Sequence, residues 1–236
     1  MTGQLALSAR QAVGGSLRAM TTTQKTQKIT SDADLLGIRL AHRAMRRDAS
    51  RLVALCTGLG HGTESPDAKQ VAAISEYVHL FADSIHHHHT TEDDVLWPKI
   101  VASVGPHIDL SDLTEDHEAL DPLLDELRAA ADGLPDSLPR LTAALVQLKN
   151  ELDEHIEDEE RTIFPLITEH LPLAEWEAVE NAARTGGKVD FELPRAFDVL
   201  TPEELVRLKK EGGMMLRVMI PFLRRKYRRR ERACGL

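Results

Sequence analysis

The sequence predicts an all-α protein, a four-helix up-and-down bundle with a helical C-terminal extension. Apolar residues recur at three- and four-residue steps over four long segments, which is typical of amphipathic helices. Aromatic residues make up only 4% of the 236 residues, and no long run alternates polar and apolar side chains. A β-sandwich or barrel is therefore disfavoured. Short links between the four segments predict helices that alternate in direction.

Serine, proline and glycine residues predict where the four helices begin and end. Proline suits the first turn of a helix because its missing N–H has no partner there, and glycine is common just past the last turn. The predicted boundaries are Ser31 to Gly58 and Gly60, Pro66 onward, Ser111 to Gly133, and Pro139 onward.

The chain is predicted to divide into three parts. Residues 1–30 are rich in Thr, Gln, Gly and Ser without a sustained apolar period, which predicts a disordered segment. Residues 31–170 form the bundle, and residues 171–236 form the helical extension with a basic tail. Within the extension, Thr201-Pro-Glu-Glu204 predicts a capping box at the start of a helix, and Leu193-Pro194 predicts a loop.

Charge is unevenly distributed along the chain. Residues 31–200 carry 14 basic and 34 acidic side chains, whereas residues 201–236 carry 11 basic and four acidic ones. The acidic body disfavours nucleic acid as a partner, since phosphates would be repelled, and it suits a cation. For the basic tail we favour docking on the acidic body, or disorder, over contact with an anionic membrane surface, because Phe222 and Tyr227 are its only aromatic residues.

Composition also predicts where the protein resides. No window approaches the roughly 18 consecutive apolar residues of a membrane span. The first thirty residues lack the basic start and hydrophobic stretch of a secretory signal. Only Cys56 and Cys234 are present, too few for a disulfide framework. These features predict a cytoplasmic protein.

One histidine stands on the apolar stripe of each of the four helices. Two of the four are followed four residues later by a glutamate, which places both side chains on one helix face. Six polar groups that face the middle of a bundle are costly unless a partner satisfies them, and a pair of metal ions would do so. The candidate ligands are His42, His88, Glu92, His117, His155 and Glu159.

An internal repeat at an offset of 67 residues strengthens the metal-site hypothesis. The segment from His88 to Ile100 matches the segment from His155 to Ile167: His, three residues, Glu, an acid, two residues, an aliphatic residue, an aromatic residue, Pro, one residue, Ile. Each copy follows a helix with a single inward histidine. The pattern predicts a pseudo-two-fold bundle with a dinuclear site on its axis.

Some assignments stay open at this point. The run His86-His87-His88-His89 allows two registers, and we choose His88 over His89 because the repeat pairs His88 with His155. His86 and His87 are then expected to face solvent or to lie behind the ligands. Asp121 is either a surface charge or a group linked to the site through water. Trp97 and Phe164 are interpreted as core packing, and most acidic residues of 153–160 as a solvated face.

These residues resemble the hemerythrin-like, or His-His-Glu cation-binding, domains. The resemblance covers about residues 35–170 and rests on the six ligand positions and the helix order. It implies a four-helix bundle with a centre of two non-heme iron ions, oxo- or hydroxo-bridged, held by those six residues. The sequence differs from oxygen-carrying hemerythrins because Asp121 stands where a second histidine of the third helix is expected, and because the fourth helix carries His-x-x-x-Glu.

The resemblance implies a protein that reacts with dioxygen, hydrogen peroxide or nitric oxide. The departures disfavour a reversible oxygen carrier, and catalase-like decomposition of peroxide is the activity that the resemblance favours. Two alternatives remain open. One is a non-catalytic module that binds or senses oxygen, nitric oxide or iron, and the other is a di-iron oxidase that acts on an organic substrate. The sequence leaves the oligomeric state undetermined.

Overall fold

The computed structural model describes residue 29 and residues 35–62, 65–211 and 213–236, without the side chains of 209–219. These residues form helices, which confirms the predicted all-α class. The helices are α1 (Leu36–His61), α2 (Ala68–Thr91), α3 (Trp97–Val104), α4 (Ser111–Asp132), α5 (Leu138–His170), α6 (Leu173–Gly186), α7 (Val189–Asp198), α8 (Pro202–Glu211) and α9 (Gly213–Cys234). A π-helical segment, Glu92–Leu96, joins α2 to α3.

The four long helices alternate in direction, as predicted. Their apolar residues form two buried clusters, a larger one that includes Met45 and a smaller one that includes Leu35. Helices α1 and α4 run from the smaller cluster to the larger, whereas α2 and α5 run from the larger to the smaller. Helix α5 packs against α1 and α4, and α4 packs against α2. The arrangement is an up-and-down bundle.

Two predicted boundaries are wrong, and burial explains both. Helix α1 continues through Gly58 and Gly60 to His61, because Leu59 between them packs on the larger apolar cluster. Residues 193–194 lie inside α7 rather than in a loop. Phe191 and Arg195 are buried there, and their packing offsets the hydrogen bond that an interior proline removes.

Two other predictions concern the capping box at Thr201 and the disorder of residues 1–30. The capping box is confirmed, since the Thr201 hydroxyl accepts from the Glu204 N–H at 3.2 Å while Glu204 accepts from the Thr201 N–H at 2.8 Å. The predicted disorder over 1–30 concerns residues outside those described, apart from Ile29. Ile29 is buried in the smaller cluster, so packing begins before the predicted start of the bundle.

The C-terminal extension docks on the acidic bundle. Helix α7 packs against α1, and α9 packs against α2 and α7. A buried polar network joins these four helices: Arg195 Nε donates to Asp48 at 2.6 Å, and Asp48 also accepts from the Tyr77 hydroxyl at 3.1 Å. The Tyr77 proton is thereby used, so Tyr227 donates to Tyr77 at 2.7 Å. Of the arrangements considered for the basic tail, the described part of α9 adopts the docked one.

None of the helices in the described part of the chain is both long and apolar enough to cross a membrane.

Candidate metal centre

A polar layer lies between the two apolar clusters of the bundle. On α1, for example, His42 lies between Leu35 of the smaller cluster and Met45 of the larger. His88 and His89 of α2, His117 of α4 and His155 of α5 lie at the same level. Because both clusters are apolar, the polar layer is screened from water on two sides.

The first ligand cluster joins α1, α2 and α5. The Nε2 atoms of His42 and His88 are 3.0 Å apart. Glu159 Oε2 lies 3.2 Å from the His42 nitrogen, and Glu92 Oε1 lies 3.0 Å from the His88 nitrogen. One ligand atom from each of these four residues lies within 4.8 Å of the others, which is a grouping that could hold one metal ion.

The second ligand cluster consists of His89, His117 and His155. The Nε2 atoms of His117 and His155 are 3.2 Å apart. The rings of His89 and His117 stack with centroids 4.1 Å apart. One nitrogen from each of the three imidazoles lies within 4.8 Å of the others.

Two carboxylates connect the clusters. Glu92 places Oε1 3.0 Å from His88 in the first cluster and Oε2 3.6 Å from His117 in the second. Glu159 Oε2 lies 3.2 Å from His42 in the first cluster and 3.9 Å from His155 in the second. Each carboxylate therefore reaches both groups of imidazoles, as a pair of bridging ligands would.

The chemistry of these side chains fits bound cations. Glu159 is completely buried and Glu92 is 2% exposed. Within the described residues, both oxygens of each glutamate and both nitrogens of His89 are buried without a hydrogen-bond partner. Unsatisfied buried carboxylates are strongly unfavourable, and a metal ion removes that cost. Five imidazoles and two carboxylates form a donor set suited to iron, copper or zinc.

The structure brings all six predicted ligands together and adds His89. Adjacent helical residues point about 100° apart, so His88 can face one cluster and His89 the other. Glu92 is four residues from His88 and three from His89, which places its carboxylate between the two imidazoles. The sequence repeat obscured this arrangement, because position 89 pairs with Ile156 at an offset of 67. Both registers left open by the sequence therefore place an imidazole in the polar layer, His88 in the first cluster and His89 in the second.

The π-helical segment begins at one of these ligands. The backbone N–H of Trp97 donates to the carbonyl of Glu92, five residues earlier. Such single-turn π segments occur frequently at functional sites, because they change the direction of side chains along an otherwise regular helix. The matching part of α5 is α-helical, so the two halves of the repeat differ in backbone as well as in histidine count.

Burial and nearby charges give the five histidines different pKa values, and therefore different protonation states. Burial disfavours the charged form of His42, yet the Glu159 carboxylate beside it raises its pKa from 6.5 to about 10. Burial and the charge on His42 lower the pKa of His88 to about 3. Burial also lowers the pKa values of His117 and His155, where it outweighs nearby acids. Burial and the neighbouring imidazoles together lower the pKa of His89. Four of the five imidazoles are therefore neutral at pH 7, which is the form that binds metal.

The two glutamates respond to each other. Burial and the nearby charge of Glu159 raise the pKa of Glu92 well above 4.5. Although burial opposes ionisation of Glu159 too, the positive charge of His42 lowers its pKa to about 2. In the metal-free protein the pair thus carries one negative charge, and bound cations would replace the proton on Glu92.

Two acidic residues orient ligand imidazoles from behind. Glu160 Oε1 accepts from Nδ1 of His42 at 2.8 Å, and Asp93 Oδ1 accepts from Nδ1 of His117 at 3.0 Å. These bonds fix the tautomer that turns the other ring nitrogen, Nε2, toward the centre. Sequence reasoning missed both residues. The sequence feature that could have identified them is the acidic residue that directly follows Glu in each copy of the repeat.

The aromatic position of the repeat also belongs to the site. The Trp97 ring lies over His117 with centroids 6.0 Å apart and an interplanar angle of 14°. The Phe164 ring lies over His42 at 6.1 Å and 5°. Each aromatic ring thus covers the lone histidine that belongs to the other half of the repeat, His117 of α4 under Trp97 and His42 of α1 under Phe164. The sequence interpretation of Trp97 and Phe164 as core packing is correct, but they pack on ligands.

The other polar residues named from the sequence lie outside the two clusters. Asp121 is exposed and accepts from the exposed His86 at 3.1 Å, which corresponds to the surface-charge alternative. His87 bonds the carbonyl of Ala183 in α6 at 2.9 Å. Neither histidine belongs to a ligand cluster among the described residues.

The chain belongs to the hemerythrin HHE cation binding domain family. The sequence model of that family matches residues 37–167, more than half of the chain and the whole of the polar layer. Searches of curated proteins and of solved structures gave no match. The predicted family is confirmed, and the chain is a metal-binding module of a family whose members typically bind iron.

Proposed function

We propose that the polar layer holds two iron ions and decomposes hydrogen peroxide. His89, His117 and His155 would hold one ion, His42 and His88 the other, and Glu92 and Glu159 would be shared between them. The observation that carries this proposal is the pair of ligand clusters connected by two buried carboxylates. The unequal number of imidazoles leaves one ion with fewer protein ligands, where a small molecule could bind.

Burial of the site favours a very small substrate. The most exposed of the seven side chains is His88, at 14%, and each of the other six is at most 4% exposed. Two pockets on the described surface, one beside Arg47 and one beside Cys56, are not lined by any of the seven. Hydrogen peroxide, dioxygen and nitric oxide are small enough for such a site. An oxidase for a larger organic molecule would need a pocket at the ligands.

The reaction is 2 H₂O₂ → 2 H₂O + O₂, in which one peroxide is oxidised to O₂ and the other is reduced to water. When bound, the iron pair supplies the two-electron redox couple that the reaction needs. Two protons pass from the peroxide that is oxidised to the one that is reduced. Glu160 and Asp93 are 29% and 32% exposed, and each bonds a ligand imidazole, so they connect the buried layer with solvent. Their carboxylates hold the Nδ1 protons of His42 and His117 and keep the Nε2 atoms directed at the site.

The experiment is anaerobic loading with ferrous iron, followed by addition of peroxide in an oxygen-electrode cell. We expect many molecules of O₂ per protein chain, at half the rate of peroxide loss. Glu159→Ala should bind much less iron and lose the activity. Glu157→Ala removes an exposed carboxylate two residues away and should behave like the wild type.

Other outcomes would contradict the proposed activity in distinct ways. A stable adduct with dioxygen or nitric oxide, without turnover, would favour the binding or sensing module. Wild-type iron content in Glu159→Ala would remove the site assignment itself. Iron loading with consumption of dioxygen only when an organic compound is present would favour the oxidase.

A further inference from the structure

An arginine-rich pocket lies where the C-terminal extension meets α1. Its volume is about 330 Å³, and none of the seven candidate ligands lines it. Helix α1 contributes Arg47 and Arg51, one helical turn apart. Helix α9 contributes Arg224, Arg228 and Arg232 at four-residue steps, which places them along one face of the helix.

Two carboxylates pair with four of the five guanidinium groups. Glu231 lies 3.0 Å from Arg47 and 2.5 Å from Arg51. Asp198 lies 2.5 Å from Arg224 and 3.6 Å from Arg228. Five positive and two negative side chains line the pocket, so its charge stays positive even if a terminal carboxylate on Leu236 is counted.

Part of the donor capacity of the pocket is unused. The buried Nη1 atom of Arg47 has no hydrogen-bond partner among the described residues, although its Nη2 atom bonds Glu231. Arg228 and Arg232 are exposed, and Arg232 has no ion-pair partner in the described part of the chain. Because guanidinium forks pair with carboxylate and phosphate, and the carboxylates present are shared, the free donors suit an added anion with several oxygens.

We propose that this pocket binds a polyvalent anion with clustered phosphate groups, either a small phosphorylated molecule or the phosphorylated headgroup of a lipid. The excess of guanidinium groups over carboxylates in the pocket favours a ligand with more than one negative charge. The walls of the pocket come from α1 and from the extension, so an occupied pocket joins the extension to the helix that carries His42.

Calorimetric titration of the full-length chain with inorganic pyrophosphate tests the proposal. We expect saturable binding of about one pyrophosphate per chain. The double variant Arg228→Ala/Arg232→Ala should bind at least about tenfold more weakly, since it removes two guanidinium groups that would donate charged hydrogen bonds to the anion. The matched control is Arg225→Ala/Arg229→Ala, which removes the same charge from exposed positions of α9 outside the pocket. This control should bind like the wild type.

Three outcomes would overturn the proposal: no binding of pyrophosphate to the wild type, equal weakening in both double variants, or binding unchanged in Arg228→Ala/Arg232→Ala. Co-sedimentation with vesicles that contain 5% phosphatidylinositol bisphosphate in phosphatidylcholine distinguishes the source of the phosphates. Vesicle binding that pyrophosphate displaces and Arg228→Ala/Arg232→Ala abolishes would indicate a lipid headgroup. Pyrophosphate binding without vesicle binding would indicate a soluble ligand. Far-ultraviolet circular dichroism confirms that each variant is folded.

Discussion

At the scale of single residues, the candidate site combines proposed ligands with groups that orient them. Glu160 and Asp93 each bond the Nδ1 atom of one lone histidine, and Phe164 and Trp97 stack on the same two rings. Each imidazole is therefore fixed both in tautomer and in ring direction. Metal ligands that are held in this way bind with less loss of side-chain entropy.

The orienting carboxylates give the first prediction. Asp93→Asn and Glu160→Gln should each weaken iron binding by about 10- to 100-fold, because the amide no longer stabilises the ligand tautomer. Competition with a chromogenic chelator measures the affinity. Asp94→Asn changes the exposed neighbour of Asp93 and is the control. Unchanged affinity in both orienting variants would mean that these hydrogen bonds have no role in metal binding.

The sequence predicts some of these roles and not others. His42, His88, His117 and His155 stand out because one histidine falls on each apolar stripe, and the repeat identifies the two glutamates. His89 has no such signal, since its repeat partner is Ile156. Asp93 and Glu160 follow the candidate ligands Glu92 and Glu159 directly in the sequence. The helical pattern places both on the side of the helix that is expected to face solvent. Only the distance across the bundle reveals that each reaches a histidine of another helix.

At the scale of elements, packing between distant residues decides whether a helix continues where the local sequence predicts a break. Glycines in the last turn of α1 and a proline in α7 both predict chain breaks. Helix α1 nevertheless continues because Leu59 is packed, and α7 forms because Phe191 and Arg195 are buried. The π-helical segment has no composition signal at all. It begins at Glu92, the residue whose carboxylate reaches both clusters.

The buried pair of Arg195 and Asp48 gives the second prediction, because it joins the extension to the bundle. Arg195→Ala leaves the Asp48 carboxylate buried without its cation and should lower the free energy of unfolding by about 3–5 kcal/mol. Urea denaturation followed by circular dichroism measures the change. Arg225→Ala, on the exposed face of α9, should change stability by less than about 0.5 kcal/mol. A similarly small effect of Arg195→Ala would show that the extension is held without this pair.

At the scale of the whole molecule, the polar layer divides one bundle into two apolar clusters. The metal-free protein must bury two glutamates and four histidines at that level, beside His88, which is 14% exposed. Bound metal removes this cost, because anything that binds only the folded state stabilises it by mass action. The proposed function would thus be linked to stability through the same seven side chains.

The third prediction concerns the stability of the metal-free protein in acid. His88, His89, His117 and His155 have lowered pKa values, so below about pH 6.5 the unfolded chain binds protons that the folded chain does not. His42 has a raised pKa and acts in the opposite sense near pH 6.5, where an unfolded histidine is only half protonated. Glu92, whose pKa is also raised, acts in the same sense as His42, and the four histidines outnumber these two residues. The free energy of unfolding should therefore fall as the pH decreases from 6.5 to 5.

Urea denaturation of chelator-treated protein at pH 5.0, 5.75 and 6.5 measures this dependence. A constant or rising free energy of unfolding toward pH 5 would contradict neutral, buried imidazoles. The iron-loaded protein is the comparison, and it should remain more stable than the metal-free protein until the acid releases the metal.

Iron stoichiometry tests the central claim most directly. After anaerobic loading with ferrous iron and removal of the excess, elemental analysis should give about two irons per wild-type chain. His89→Ala removes one of three imidazoles from the second cluster and should retain about one, whereas His86→Ala, at an exposed position nearby, should retain two. No bound iron in the wild type, or two irons in His89→Ala, would contradict a dinuclear centre built from these seven residues.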